Sequence, residues 1–323
     1  MTPPSADHRA DHRAGYRPDH RADHRPDHRA DYWVRPMQPD DVADVERLTR
    51  DGFHDLDVRT HRAHWPAPSL RSTARSELWR SRARHQLGTD PGGCFVAEDA
   101  TGPIGGVIAL RRDLTWILSA YVVRPGLQGR GVGRQLLQVA LDHGRGCLRG
   151  LISASEDQAA VRRYHAAGFT MHPMMFLRGV VTRESLPVVE RVREGSVGDI
   201  DLMNSVDRRV RDSAHGVDHE WLAGQHRLVV TDRSTGSGYA YVEPGGGVHL
   251  LAATNRRTAT ELLWEALAAS SPDEACAIGH VTAANPWAVD IGLTARMELH
   301  SAGYLATRDM KPPTPYLPSG HFL

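Results

Sequence analysis

The residues best arranged for chemistry in this 323-residue chain run from Arg124 to Arg134, Arg-Pro-Gly-Leu-Gln-Gly-Arg-Gly-Val-Gly-Arg. They lie between an apolar run, Trp116–Val123, and a helical pattern that begins near Gly131. Pro125 ends the strand, and the glycines permit a tight loop of exposed backbone amides. The first N–H groups of a helix lack intrahelical partners and lie at the positive end of its dipole. A loop that opens directly into a helix is therefore an anion site suited to a pyrophosphate. No Gly-Lys-Ser/Thr closes this loop, so it is not a Walker-type P-loop. The glycine spacing also fails the dinucleotide fingerprint.

The run resembles the coenzyme A signature of the GNAT superfamily, Gln/Arg-x-x-Gly-x-Gly/Ala, through Gln128, Gly131 and Gly133. The second signature of that family is matched at the right distance by Asp157, Ala160, Tyr164 and Gly168-Phe169. The resemblance covers about residues 32–182. It implies an N-acetyltransferase that uses acetyl-CoA as acyl donor, with an amine of a small molecule or peptide as acceptor. Carried onto this chain, the backbone of Tyr121, Val122 and Val123 would pair with the pantetheine arm. Amides from Gln128, Gly129, Arg130, Gly131, Val132, Gly133 and Arg134 would hold the pyrophosphate. Tyr164 would give a proton to the departing thiolate. The amine would attack directly in a ternary complex, so neither a covalent nucleophile nor a metal is expected, and Cys147 has no role.

Departures from the pattern leave alternatives open. Asp157 stands where the family usually has Asn, near the cofactor, and a carboxylate there also suits a helix N-terminus. Ser155 and Gln158 read as a Ser-x-x-Gln capping box, which makes Ser155 a cap and not a catalyst. Tyr164 could also be a core aromatic beside Ala160 and Ala167, although the motif favours the catalytic role. Trp116–Val123 holds no acidic residue, so the general base is open among Glu98, Asp113, His165 or a water chain. The alternative function is an inactive acyl-CoA-binding sensor or structural protein.

The elements that must position these residues follow from periodicity and punctuation. A strand at Tyr32–Arg35 precedes Pro39-Asp40-Asp41, a helix start with Val42, Val45 and Leu48 on one face. A second helix is expected over Ser69–His85, then a turn at Asp90-Pro91-Gly92-Gly93. Strands follow at Cys94–Glu98, Gly105–Leu110 and Trp116–Val123. The helix from Gly131 carries Val132, Leu136, Val139 and Ala140 and ends at Gly144. A strand at Gly150–Ala154, a helix over Ser155–Ala167 stopped by Gly168, and strand material to about Val181 complete the set. This order predicts an α/β fold with a mixed, mostly antiparallel sheet flanked by helices. Asp55, Asp57 and Glu77 on the first two helices could attract a cationic acceptor or form a solvated face.

The second half reads as a degenerate copy. Val34-Arg35 and Asp41-Val42 recur as Val192-Arg193 and Asp199-Ile200, and His165–Phe169 recurs as His300–Tyr304. Two tandem domains are expected, 32–183 and 184–323, with the boundary in Thr182–Pro187. The counterpart of the loop, Thr254–Arg257, has no Gly-x-Gly, although Thr258 and Glu261 read as a capping box. Asn285 and Ala288 echo the second signature, with Gly292 or, counting back from Gly303, Leu299 at the tyrosine position. Pro244–Gly247 reads as a hairpin turn, and the proline-rich Lys311–Leu323 as an extended tail.

Residues 1–31 repeat Asp-His-Arg-Ala/Pro and offer almost nothing apolar, so a disordered tail is expected, with at most adventitious metal binding by its histidines. Formal net charge is zero and Lys311 is the sole lysine, so no basic excess invites nucleic acid. Cys94, Cys147 and Cys276 form neither a disulfide framework nor a thiolate zinc pattern. With no membrane-length apolar run and no signal-peptide core, a cytoplasmic monomer or homodimer is expected.

Overall fold

The computed structural model describes residues 31–62, 65 and 67–323, so the expected tail lies, Asp31 aside, outside the described residues. The first half runs β1 (Trp33–Pro36), α1 (Val42–Thr60), α2 (Thr73–Thr89), β2 (Cys94–Asp99), β3 (Gly102–Arg112), β4 (Thr115–Val123), α3 (Val132–His143), β5 (Arg149–Ala154), α4 (Gln158–Ala166) and β6 (Thr170–Gly179). The second runs β7 (Arg193–Glu194), α5 (Ile200–Arg211), α6 (Asp218–Gln225), β8 (Arg227–Thr231), β9 (Gly238–Val242), β10 (Gly247–Ala253), α7 (Arg256–Ala268), β11 (Cys276–Thr282), α8 (Pro286–Thr294), β12 (Glu298–Arg308) and β13 (Tyr316–Leu317). The expected element types and order are present. The second helix starts four residues later than expected, because Ser72 caps it by accepting a hydrogen bond from the Arg75 amide.

All the strands join one sheet, in the order β1-β2-β3-β4-β5-β12-β6-β11-β10-β9-β8-β7, with β13 added to β10. The order is a palindrome when each strand from β1 to β6 is matched with the strand six places later. In both halves the fourth and fifth strands pair in parallel, β4 with β5 and β10 with β11. The last strands are exchanged. β12 lies between β5 and β6, and β6 lies between β12 and β11, so each half completes the other's sheet. The exchange joins two sheets into one.

Helices cover the sheet with apolar faces. Val132, Leu136, Leu137 and Ala140 of α3 are buried, as are Leu262, Leu263, Ala266 and Leu267 of α7. Each leucine buried this way contributes roughly 1.5–3 kcal/mol. The two openings match in detail: Arg35 pairs with Asp41, and Arg193 with Asp199, each carboxylate also accepting from the backbone amide three residues before it. The second sequence repeat does not hold. His165–Phe169 ends a helix, whereas His300–Tyr304 lies within β12 and contains a register shift. The true counterpart of Gly168-Phe169 is Arg296-Met297, since Phe169 donates to the Tyr164 carbonyl and Met297 to that of Gly292.

Candidate active site

β4 and β5 pair only as far as Leu118 and Ile152. At the next residue β4 carries a bulge: Leu118 faces Ala109 and Ala120 faces Ile108, so Ser119 has no opposite number on β3. A bulge bends and twists its strand. Ser119–Val123 therefore diverges from β5 with one edge unpaired among the described residues, and Tyr121, Val122 and Val123 lie on that edge. An unpaired edge can accept an extended ligand as an added strand.

Beyond Val123 the loop turns on Gly126, Gly129 and Gly131, all with positive φ (83°, 84° and 92°). This backbone region carries a steric cost for side chains that glycine avoids. Gly131 is the N-cap of α3 and, among the described residues, no side chain caps the helix. Gln128, Gly129, Arg130 and Arg134 are exposed around the loop, with the Gln128 Nε2 3.4 Å from the Val123 carbonyl oxygen. Val132 and Gly133 are buried beneath it. An uncapped helix N-terminus ringed by arginines is fitted to a phosphate group.

Tyr164 of α4 is buried, its ring centroid 6.2 Å from that of Tyr121 on β4. Burial raises its pKa well above the ordinary phenol value, so the hydroxyl keeps its proton throughout the physiological range. Asp157, not Ser155, is the N-cap of α4, its Oδ1 accepting from the Ala160 amide at 2.8 Å. Ser155 Oγ instead accepts, at 3.4 Å, from the Asp157 amide. The shift follows from geometry: helical pairing begins at Gln158, which puts Ser155 too far upstream.

Two of the open candidates for a base, Glu98 and Asp113, are otherwise engaged. Glu98 accepts from Arg35 at 2.7 Å. Asp113 lies at the β3–β4 turn, where it accepts from the Ala214 amide and from Arg208. His165 is exposed on α4. Asp55 and Glu77 each pair with a nearby arginine, Arg59 and Arg80.

Sequence reasoning missed what surrounds the splay. Gln86 of α2 exchanges hydrogen bonds with Ser119 Oγ (2.8 and 3.0 Å) and donates to the His321 carbonyl at 3.4 Å. The C-terminal segment thus reaches the mouth of the β4–β5 divergence. A side chain at Gly320 would meet His280 at 3.1 Å and Ser153 of β5 at 4.0 Å. Burial lowers the pKa of His280 to about 4 and that of His321 well below the ordinary value. Arg82 of α2 is buried and packs over Trp79, and burial pushes its pKa down to about 9. It lies close enough to His321 to lower that ring's pKa. Two histidines as far apart in the chain as His280 and His321 carry no spacing signal.

The second half closes the equivalent features. α7 begins immediately after Thr254-Asn255, and the Asn255 side chain, not Thr258, caps it by accepting from the Thr258 amide at 3.0 Å. β10 leaves β11 after Val248, but its free edge is taken by β13, which pairs Tyr316 with Ala252 and Leu317 with Leu251. Asn285, the counterpart of Asp157, holds this strand: its Oδ1 accepts from the Tyr316 amide at 3.1 Å and its Nδ2 donates to the Pro313 carbonyl at 3.0 Å. Gly292 stands at the Tyr164 position, and a Cβ there would lie 2.6 Å from Leu177. The alternative, Leu299, is in β12.

Two groups, Asp207–His215–His219 and His226–Glu243–His249, each bring ligand atoms within 4.8 Å of one another. No helix among the described residues is long and apolar enough to cross a membrane.

Residues 51–169 match the model of the acetyltransferase (GNAT) family. No curated protein matches the sequence. Among solved structures, a candidate acetyltransferase from Pyrococcus horikoshii superposes with a TM-score of 0.70 at 17% identity, over 94% of this chain and 99% of that one. A GCN5-related N-acetyltransferase from Sphaerobacter thermophilus gives 0.53 at 16% identity, over 88% and 97%. A tandem GNAT protein from the clavulanic acid biosynthesis pathway gives 0.52 at 12% identity, over 87% and 99%. At these identities the likeness is one of fold.

Proposed function

We propose, from the match of residues 51–169 to the acetyltransferase (GNAT) family, that residues 32–183 form an N-acetyltransferase domain that moves an acetyl group from acetyl-CoA to an amine. Residues 184–323 are then a degenerate second domain that braces the first. One contrast carries the reading: β4 has a free edge leading to an uncapped helix, while the matching edge and helix of the second half are filled by β13 and Asn255.

Acetyl-CoA supplies the acyl group as a thioester. The β4 edge at Tyr121–Val123 would hold its pantetheine arm, and the amides of Gln128–Arg134 its pyrophosphate. Asp157 serves mainly by capping α4, which fixes the helix that carries Tyr164. Tyr164, kept protonated by burial, holds the proton that the departing sulfur needs. The amine attacks from the side of α1 and α2, where Gln86, Arg82 and the C-terminal segment line the mouth. Arg82 has no acidic partner among the described residues, which favours an acceptor bearing an anionic group as well as its amine.

A second reading, binding of acyl-CoA without turnover, is favoured by the lack of a carboxylate on β4. Calorimetric titration of acetyl-CoA into the full chain, followed by thiol release against amines with and without a carboxylate, tests both. One site per chain with turnover supports the transferase. One site without turnover on any amine supports the sensor. Two sites would overturn the degenerate second domain, and no binding would overturn both readings.

A further inference from the structure

We propose that His226, Glu243 and His249 form a binding site for a divalent transition-metal ion, with zinc the best fit. His226 follows α6 and leads into β8, Glu243 follows β9, and His249 is the bulge residue of β10. Three neighbouring backbone segments therefore converge on one point, and the ligand atoms all lie within 4.8 Å of one another. Glu243 Oε1 lies 2.7 Å from His249 Nδ1, and its Oε2 lies 3.5 Å from His226 Nδ1. The two imidazoles stack with centroids 4.0 Å apart and planes 20° apart.

The nitrogens are the second, independent observation. Among the described residues, both ring nitrogens of His226 and Nε2 of His249 are buried without a hydrogen-bond partner, and His226 is only 6% exposed. A buried polar atom left unsatisfied is costly, and a ligated ion removes that cost. Two neutral imidazoles and one carboxylate make the three-ligand set that zinc takes with a position left open. Imidazole donors argue against magnesium or calcium, which prefer oxygen. Glu243 is 42% exposed, which provides an entry path.

The other histidine cluster differs on this point. In it Arg211 donates to His215 Nε2 at 2.5 Å, His219 Nδ1 bonds Tyr241, and Asp207 already accepts from Tyr239 at 2.5 Å. Both ring nitrogens of His215 and of His219 thus already have hydrogen-bond partners, unlike those of His226.

Cobalt(II) titration of the full chain, followed by visible absorption, tests the site. The expected result is one ion per chain with the intense d–d bands of tetrahedral ligation, bleached by zinc. In His226→Asn/His249→Gln the bands should vanish while the circular dichroism stays that of the parent. The histidines of residues 1–31 are present in both proteins and cancel in the comparison. Should the double variant fail to fold, Glu243→Gln replaces it, with cobalt affinity expected to fall at least tenfold. Equal bands in parent and variant, no tetrahedral bands in the parent, or an affinity indifferent to Glu243→Gln would each overturn the proposal.

Discussion

Ser119 and His249 occupy the same position in the two halves of the sheet. Each is the extra residue of a bulge, and each comes directly after the last parallel pairing, Leu118 with Ile152 or Val248 with Ile278. In the first half the divergence leaves an open edge. In the second it presents an imidazole to Glu243, and the edge beyond it is covered by β13. One backbone device thus stands in two chemical settings.

Removing the Tyr164 hydroxyl should separate turnover from binding. In Tyr164→Phe the ring and its packing against Tyr121 remain, so acetyl-CoA affinity should change less than threefold. Turnover should fall by roughly 10²–10⁴, the usual contribution of a positioned acid. Unchanged turnover in a steady-state thiol-release assay would make Tyr164 a core aromatic only.

Gly133→Ala probes the contact between loop and strand. An added Cβ would lie 2.4 Å from the Tyr121 hydroxyl. Overpacking costs about 1–3 kcal/mol, while alanine in place of glycine gains about 1 kcal/mol of helix propensity. The melting temperature should therefore move little, yet the displaced Tyr121 should weaken acetyl-CoA binding about tenfold or more. A calorimetric affinity equal to that of the parent would refute the placement of this edge.

Asn285→Ala should loosen the C-terminal strand. The side chain serves the Tyr316 amide, the Pro313 carbonyl and, at 3.0 Å, the Trp287 indole N–H. Losing these buried partners should cost about 2–3 kcal/mol, seen as a lower urea midpoint. Amide exchange at Tyr316 and Leu317 should quicken first. Uniform exchange across the sheet would contradict the idea that Asn285 anchors this strand.

Acid should destabilise the second half early. Burial, helped by the charge of Arg211, lowers the pKa of His215 from 6.5 to about 4. His215 donates from Nδ1 to Asp207 and accepts at Nε2 from Arg211, an arrangement that requires the neutral ring. Below about pH 6.5 the unfolded chain takes up a proton that the folded chain refuses until about pH 4, so stability falls as pH falls through that window. The loss approaches about 3 kcal/mol for this ring alone. Denaturant midpoints measured across the window check it, and a flat profile would count against a neutral buried His215.

The Gln128–Gly133 motif and the Tyr164 signature were legible because local spacing encodes them: left-handed glycines make the loop, and helical register brings Tyr164 beside Tyr121. Helix caps are less legible, since Ser155 and Thr258 match a box in sequence while Asp157 and Asn255 have the required geometry. The exchanged strands, the β13 pairing and the histidine clusters were invisible. They depend on partners such as Ala252 and Tyr316, or His226 and His249, that no periodicity links. The misread repeat at His300 shows the same limit, because a five-residue likeness carries no record of whether its backbone is helix or strand.

The exchange of β6 and β12 has a consequence for biosynthesis. β5 ends at Ala154 and β6 at Gly179, whereas β12, which lies between them in the sheet, does not begin until Glu298 and so leaves the ribosome much later. Until then β5 and β6 each expose an unpaired edge, the kind of surface that recruits other strands. The first half cannot mature while the second is still being made, although domains ordinarily fold in the order of their synthesis. A chain truncated before Glu298 would lack a strand from both halves at once, so premature termination should yield aggregation and not a shorter, active protein.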